Sequence, residues 1–214
     1  MDITRLRDRH ESEFDFTKKN VTVPSTTVPE VSSTPYDFNP DEEDLAFFRA
    51  TCIEARLTFV SEDMSDLHNL DTPQGKAFDW LLNKDGRALH PDAENLVQRY
   101  VLAVLYFSTA GQNWIVGSSH WMNALHECHW KRTSRGVTYG VTECDENQRV
   151  TKLHLPDNNL RGKFPFEIGC LTQLRVLDLN LNYLTGTIPD SLVFLDYLHT
   201  LHLNNNQREV YQVN

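Results

Sequence analysis

The chain has 214 residues, 40% of them hydrophobic and 23% charged, which fits one domain with tails and excludes both a membrane-embedded chain and one disordered throughout. Thirty acidic residues against twenty basic ones leave a net charge of −10, so a nucleic-acid groove lined by dense Lys and Arg is excluded. The excess is uneven: residues 1–110 hold twenty acids and eleven bases, whereas residues 111–214 hold ten and nine.

Residues 1–44 read as a disordered linker or tail. Asp2–Lys19 alternates charges with few apolar residues, and Val21–Pro40 is a Val/Ser/Thr segment broken by Pro24, Pro29, Pro35 and Pro40. Such a segment buries too little apolar surface to offset the entropy of ordering. Asn20-Val21-Thr22 matches an N-glycosylation acceptor, a triplet that also recurs by chance. Met1–Phe14 has no apolar core for a signal peptide, and no stretch reaches the roughly 18–20 apolar residues of a membrane span.

From Asp41 the pattern turns helical. The acids Asp41–Asp44 would sit at the positive end of a helix carrying Leu45, Phe48, Cys52, Ile53 and Leu57. A second helix is signalled by Asp71 or Thr72 as N-cap and Pro73 at the first helical position, with Ala77, Trp80 and Leu81 at helical spacing. A third follows Pro91-Asp92, with stripes Leu96, Tyr100, Val104, Phe107 and Val97, Val101, Leu105, and Gly111 is expected to close it.

Residues 111–144 are rich in Trp and Cys. Cys128 and Cys144, about fifteen residues apart and beside tryptophans, suit a disulfide, which in the chain-entropy account would contribute roughly 3 kcal/mol. The alternative is a zinc site drawn from His120, His126, Cys128, His129, Cys144 and His154, though the spacing lacks two clean ligand pairs. Cys52 and Cys170 read as buried free thiols.

The last third repeats every 24 residues. Val150-x-x-Leu153-x-Leu155-x-x-Asn158 recurs from Leu174 to Asn182 and from Leu198 to Asn206, and Leu160-x-Gly162-x-Phe164-Pro165 recurs as Leu184-x-Gly186-x-Ile188-Pro189. This is the leucine-rich repeat signature. Leu153 and Leu155 would face inward on a short strand with His154 outward, and the asparagines would stack at the following turns to satisfy backbone groups. The expected fold class is α/β: a short leucine-rich repeat solenoid of about two and a half units behind a mainly helical cap. The expected division is a tail over 1–44, a helical and Trp/Cys-rich cap over 45–149, and repeats over 150–173, 174–197 and a partial 198–214. So few units imply an incomplete array, either a fragment or a module that continues on a partner.

Residues 72–206 resemble the plant-type leucine-rich repeat family with its N-terminal cap, especially diatom-type members. The resemblance rests on Leu105-Tyr106-Phe107, Gly111, Asn113-Trp114, Trp121, Cys128-x-Trp130, Gly140-Val141, Cys144, Val150-Thr151-x-Leu153 and the L-x-G-x-I-P pattern. Two departures stand out: Lys131–Tyr139 is longer than the usual step from Trp to Gly-Val, and Glu143 adds a residue before Cys144. The resemblance implies an extracytosolic ligand-binding role at the cell surface, although the export signal, membrane span and kinase found in family members are not visible.

On that architecture the exposed strand positions line a concave face. His154, Asp178 and His202 would form a column, strands being about 4.8 Å apart, joined by Lys152, Asn180, His199 and Asn204. An Asp between two imidazoles would raise their pKa values and invites a metal or acid–base reading, against which three polar residues simply solvate a strand face. No catalytic motif is present: no Gly-rich phosphate loop, no G-x-S-x-G, no H-E-x-x-H. The acids Asp41–Asp44 suit a solvated helix start better than an enzyme's carboxylate pair. The sequence therefore reads as a noncatalytic recognition module taking a protein, peptide or glycan ligand. It calls for no nucleic acid, cofactor or metal, and the alternative is an intracellular scaffold with reduced cysteines.

Overall fold

The structure, a computed structural model, describes residues 42–60 and 63–207. Of the expected linker over residues 1–44, residues 1–41 lie outside the described residues, as do the Asn20 triplet and the polar tail beyond Gln207, whereas residues 42–44 open a helix instead.

Helix α1 (Glu42–Leu57) begins inside the acidic run, but only its second half is buried. Ile53 and Leu57 enter the core, whereas Leu45, Phe47 and Phe48 stay exposed, so the expected stripe is apolar in sequence and only half used. Two arginines hold α1 in place. Arg49 donates to the carbonyls of Leu82 and Leu89 at 3.1–3.2 Å, and Arg56 donates to Ala93 at 3.0 Å. Leu82 belongs to the last turn of α2 (Pro73–Asn83), where carbonyls lack intrahelical partners and a cation is favoured.

Helix α2 starts as its sequence requires. Thr72 accepts the Gly75 N–H at 3.0 Å through its hydroxyl and Pro73 occupies the first turn. Helix α3 (Leu96–Ser108) is buried nearly all round its middle, from Arg99 to Leu105, because α2 packs on one side and the Phe166–Cys170 turn of the first repeat on another. It does not close on Gly111. Ala110 takes the left-handed position at φ 53°, while Gly111 is needed because a Cβ there would lie 2.1 Å from the Tyr106 ring.

Four tryptophans join these helices to the strands. Trp114, Trp121 and Trp130 follow one another at 5.0 and 5.5 Å between ring centroids, and Trp80 of α2 meets Trp130 at 6.0 Å. The indole N–H groups of Trp114 and Trp121 donate to the carbonyls of Thr109 and Leu102, both at 3.2 Å, so these buried rings carry no unmet donor.

The main sheet has the order β1-β2-β3-β5-β7. Strands β1 (Lys131–Ser134) and β2 (Val137–Cys144) form an antiparallel hairpin, and β2 runs antiparallel to β3 (Val150–His154). Strands β3, β5 (Val176–Asp178) and β7 (Thr200–His202) are parallel and in the register of the repeat. A second pair, β4 (Arg161–Lys163) with β6 (Tyr183–Thr185), is also parallel. Leu153, Leu155, Leu177, Leu179 and Leu203 all point into the core, each adding about 1.5–3 kcal/mol of burial.

The asparagines stack as the repeat predicts. Asn182 Oδ1 accepts the N–H groups of Asn158 and Leu160, each at 3.0 Å, and its amide donates to Leu155 and Leu179 at 2.8 and 3.0 Å. One coil later Asn206 Oδ1 accepts the Leu184 N–H at 3.0 Å, and its amide donates to Leu179 and Leu203 at 3.0 and 2.9 Å. Asn158, first in the ladder, exchanges two bonds with Val116, and Arg161 N–H donates to Thr109 at 3.0 Å. Gly162, at φ 121°, lets its backbone approach the end of α3, where a Cβ would lie 2.2 Å from the Ser108 oxygen. These contacts cover the flank of the first repeat with residues that precede Val150. Among the described residues the opposite flank ends on β7, so the coils are stacked without forming a closed solenoid.

Candidate functional site

The parallel register places His154, Asp178 and His202 side by side on the exposed face of the sheet. His154 Nδ1 stands 3.1 Å and His202 Nδ1 3.7 Å from the same oxygen, Asp178 Oδ2. The other oxygen, Asp178 Oδ1, accepts the Asn180 backbone N–H at 3.2 Å and its side-chain amide. The carboxylate is thereby held in one orientation with little exposed surface.

Burial pushes the His154 pKa below the ordinary imidazole value. Asp178 pulls it upward, and Lys152 and His202 add to the lowering. The expectation that Asp178 would raise the pKa does not hold for His154, because half-burial of the ring outweighs the neighbouring carboxylate.

The other residues expected on this face divide. Asn180 belongs to the column through Asp178. Lys152 instead pairs with Glu143 of β2 at 3.3 Å. His199 lies one residue before β7 and bonds the Thr200 hydroxyl at 3.0 Å. Asn204 is exposed beyond β7, its carbonyl accepting from Leu181 N–H at 3.0 Å.

Cys128 and Cys144 are joined as a disulfide with Cα atoms 6.0 Å apart, which removes both thiolates from the zinc alternative. Among the described residues no group of three or more His, Cys, Asp or Glu is placed to hold a metal ion. Cys52 and Cys170 are free and half-buried rather than fully buried, and burial together with Glu167 raises the Cys170 thiol pKa. A cleft of about 440 Å³ opens elsewhere, between the start of α3, the Asp145–Arg149 turn and the first repeat. Gln98, His126 and Arg149 line it, and the column residues do not.

Among the described residues there is also a buried ionic cluster that the motifs of the sequence do not mark. Arg99 Nε and Nη2 form a two-bond fork with Asp85 at 2.6 Å each, and Nη1 reaches Glu127 at 3.2 Å. The guanidinium also donates to the carbonyls of Asn123 and Leu125 and lies between Trp80 and Trp130, 5.2 and 4.7 Å from their ring centroids. One signal was available: Arg99 interrupts the apolar arc that Leu96 and Tyr100 define.

Residues 173–195 match the Leucine Rich Repeat family model. Over 139 residues, 59% of this chain and 24% of the relative, the chain is 30% identical to the probable LRR receptor-like serine/threonine-protein kinase RPK1 of Arabidopsis thaliana. It is 33% identical over 90 residues to receptor-like kinase TMK2 (42% of this chain, 9% of the relative). It is 34% identical over 91 residues to phytosulfokine receptor 1 (40% and 8%), both from Arabidopsis thaliana. The chain thus spans at most about a quarter of the length of these relatives. A leucine-rich repeat is present over residues 173–195, and the relatives to which the chain is similar are plant receptor-like proteins. No described helix is long and apolar enough to cross a membrane.

Proposed function

We propose that this chain is a recognition module of the receptor-like type, with residues 45–149 capping a short leucine-rich repeat solenoid of the plant, diatom-like kind. Its repeats run over 150–173, 174–197 and 198–214, and it binds a protein, peptide or glycan ligand on the concave face of the sheet. The observation that carries this reading is the in-register column His154–Asp178–His202, a fixed polar surface across three parallel strands with Asn180 orienting its centre. Lys152, His199 and Asn204 flank it. The receptor-like relatives support the same reading. The disulfide supports an extracytosolic compartment over a scaffold with reduced cysteines.

Panning a displayed library of random dodecapeptides on the purified chain tests the proposal. Enriched peptides should lose affinity about tenfold in the His202→Ala and Lys152→Glu variants, as removal of a central contact does. Enriched peptides indifferent to every substitution on this face would refute it.

A further inference from the structure

The long step Lys131–Tyr139 folds as a hairpin that widens the repeat sheet. Arg135 and Gly136 form its two-residue turn at φ 49° and 80°, the mirror-image geometry that matches strand twist. The Thr133 and Thr138 hydroxyls bond across it at 2.9 Å. Because β1 pairs Lys131 with Gly140 and β2 pairs Gly140 with His154, one row crosses all five strands: Lys131, Gly140, His154, Asp178, His202. Gly140, at φ 105°, lets the two strands close up, since a Cβ there would lie 2.2 Å from the Trp130 carbonyl oxygen.

The charge of this sheet runs against that of the chain. A protein of net charge −10 places four Lys and Arg but two acids on these five strands and the hairpin turn. Both acids are engaged, Glu143 with Lys152 and Asp178 with His154. Lys131, Arg132 and Arg135 are exposed, and no ion pair to a carboxylate joins them among the described residues; Arg132 bonds the His120 ring at 3.1 Å. Strand β1 is also an edge, and among the described residues its backbone pairs with β2 alone. An edge strand offers unpaired N–H and C=O groups to an extended segment, and clustered cations steer acidic partners toward it.

We propose that hairpin β1–β2 is the docking edge for an extended acidic peptide segment of the ligand. The segment pairs along β1 and sets its carboxylates on Lys131, Arg132 and Arg135, at the end of the row that leads across the sheet to His154. The proposal deepens the reading of the sheet as a ligand surface and rests on it. A peptide fits better than a nucleic acid, because three cations on one hairpin are few and the net charge repels a polyanion. A cationic edge that only blocks self-association is the rival explanation.

The dodecapeptide library distinguishes these cases. Enriched peptides should be rich in Asp and Glu, and fluorescence anisotropy should show at least a tenfold loss of affinity for Lys131→Glu/Arg132→Glu/Arg135→Glu, with a smaller loss for the Gln version of the same triple. Raising NaCl from about 50 to 300 mM should weaken binding of the native chain more than that of the Gln triple, because salt screens exposed charges. Urea midpoints equal to the native one certify that both triples fold. Enriched peptides that are not acidic, or that keep their affinity in the Glu triple while losing it in His202→Ala, would overturn the docking edge and leave the concave-face reading standing. A Glu triple that self-associates yet binds acidic peptides normally would leave the edge as a solubility device and overturn the proposal. Binding of a dT20 oligonucleotide through the same three residues, without acidic peptides, would overturn it in favour of nucleic acid. No enrichment at all would remove both readings.

Discussion

Replacing Asn182 by Ala tests whether the asparagine ladder holds the coils together. The side chain is 4% exposed, and its Oδ1 is the acceptor for two backbone N–H groups, those of Asn158 and Leu160. Its amide donates to the carbonyls of Leu155, Leu179 and Asn180 at 2.8–3.1 Å. Alanine leaves both N–H groups without an acceptor in a region water does not reach, and each such orphan costs about 1–3 kcal/mol. Partial relaxation of the turn recovers some of this, so the expected loss is about 3 kcal/mol, a large share of the roughly 5–15 kcal/mol that stabilises a domain. Urea denaturation followed by tryptophan fluorescence should show a lower midpoint at unchanged slope. Hydrogen exchange should show the Asn158 and Leu160 amides losing protection before those of α3. Asn206→Ala, at a half-buried position whose Oδ1 accepts the Leu184 N–H, should cost less. A loss below about 1 kcal/mol for Asn182→Ala, or unchanged protection at Asn158 and Leu160, would refute the reasoning.

The buried ion cluster should respond more sharply. Arg99→Leu strands the carboxylates of Asp85 and Glu127 and should cost about 3–5 kcal/mol in urea, whereas the triple Arg99→Leu/Asp85→Leu/Glu127→Leu should recover much of it; equal losses would show that packing matters more than charge. Because burial lowers the folded-state pKa of His154, and likewise of His126, the unfolded chain binds protons first. The stabilisation they contribute is therefore complete above about pH 6.5 and is lost as pH falls toward their folded values. His154→Asn should flatten the decline in urea midpoint between pH 7 and 5, and an unchanged slope would contradict the burial argument. Thiol titration of the denatured, unreduced protein should count two thiols, Cys52 and Cys170, rising to four after reduction; four at the outset would place the chain in a reducing compartment. Removing the disulfide as Cys128→Ser/Cys144→Ser should cost about 2–5 kcal/mol.

The repeat was the most legible part of the sequence because its code is local and recurs. Leu153, Leu155 and Asn158 carry the same information as Leu177, Leu179 and Asn182, and translation by 24 residues fixes the parallel register that brings His154, Asp178 and His202 together. The start of α2 was equally readable, since Thr72 and Pro73 act within one turn of chain. What the sequence left open depends on contacts between distant segments. Spacing could not show that Arg49 and Arg56 would hold α1 through carbonyls more than thirty residues away, leaving Leu45 and Phe48 in solvent. It could not show that Arg99 would meet Asp85 and Glu127 between two tryptophans. A shorter-range choice was equally hidden: Ala110 rather than Gly111 turns left-handed, and Gly111 instead leaves room for the ring of Tyr106, five residues before it in α3. The chemistry of the column follows the same division. Sequence set Asp178 beside His154, but the balance between its charge and the loss of water around the imidazole is a property of packing, and packing decides which way that proton goes.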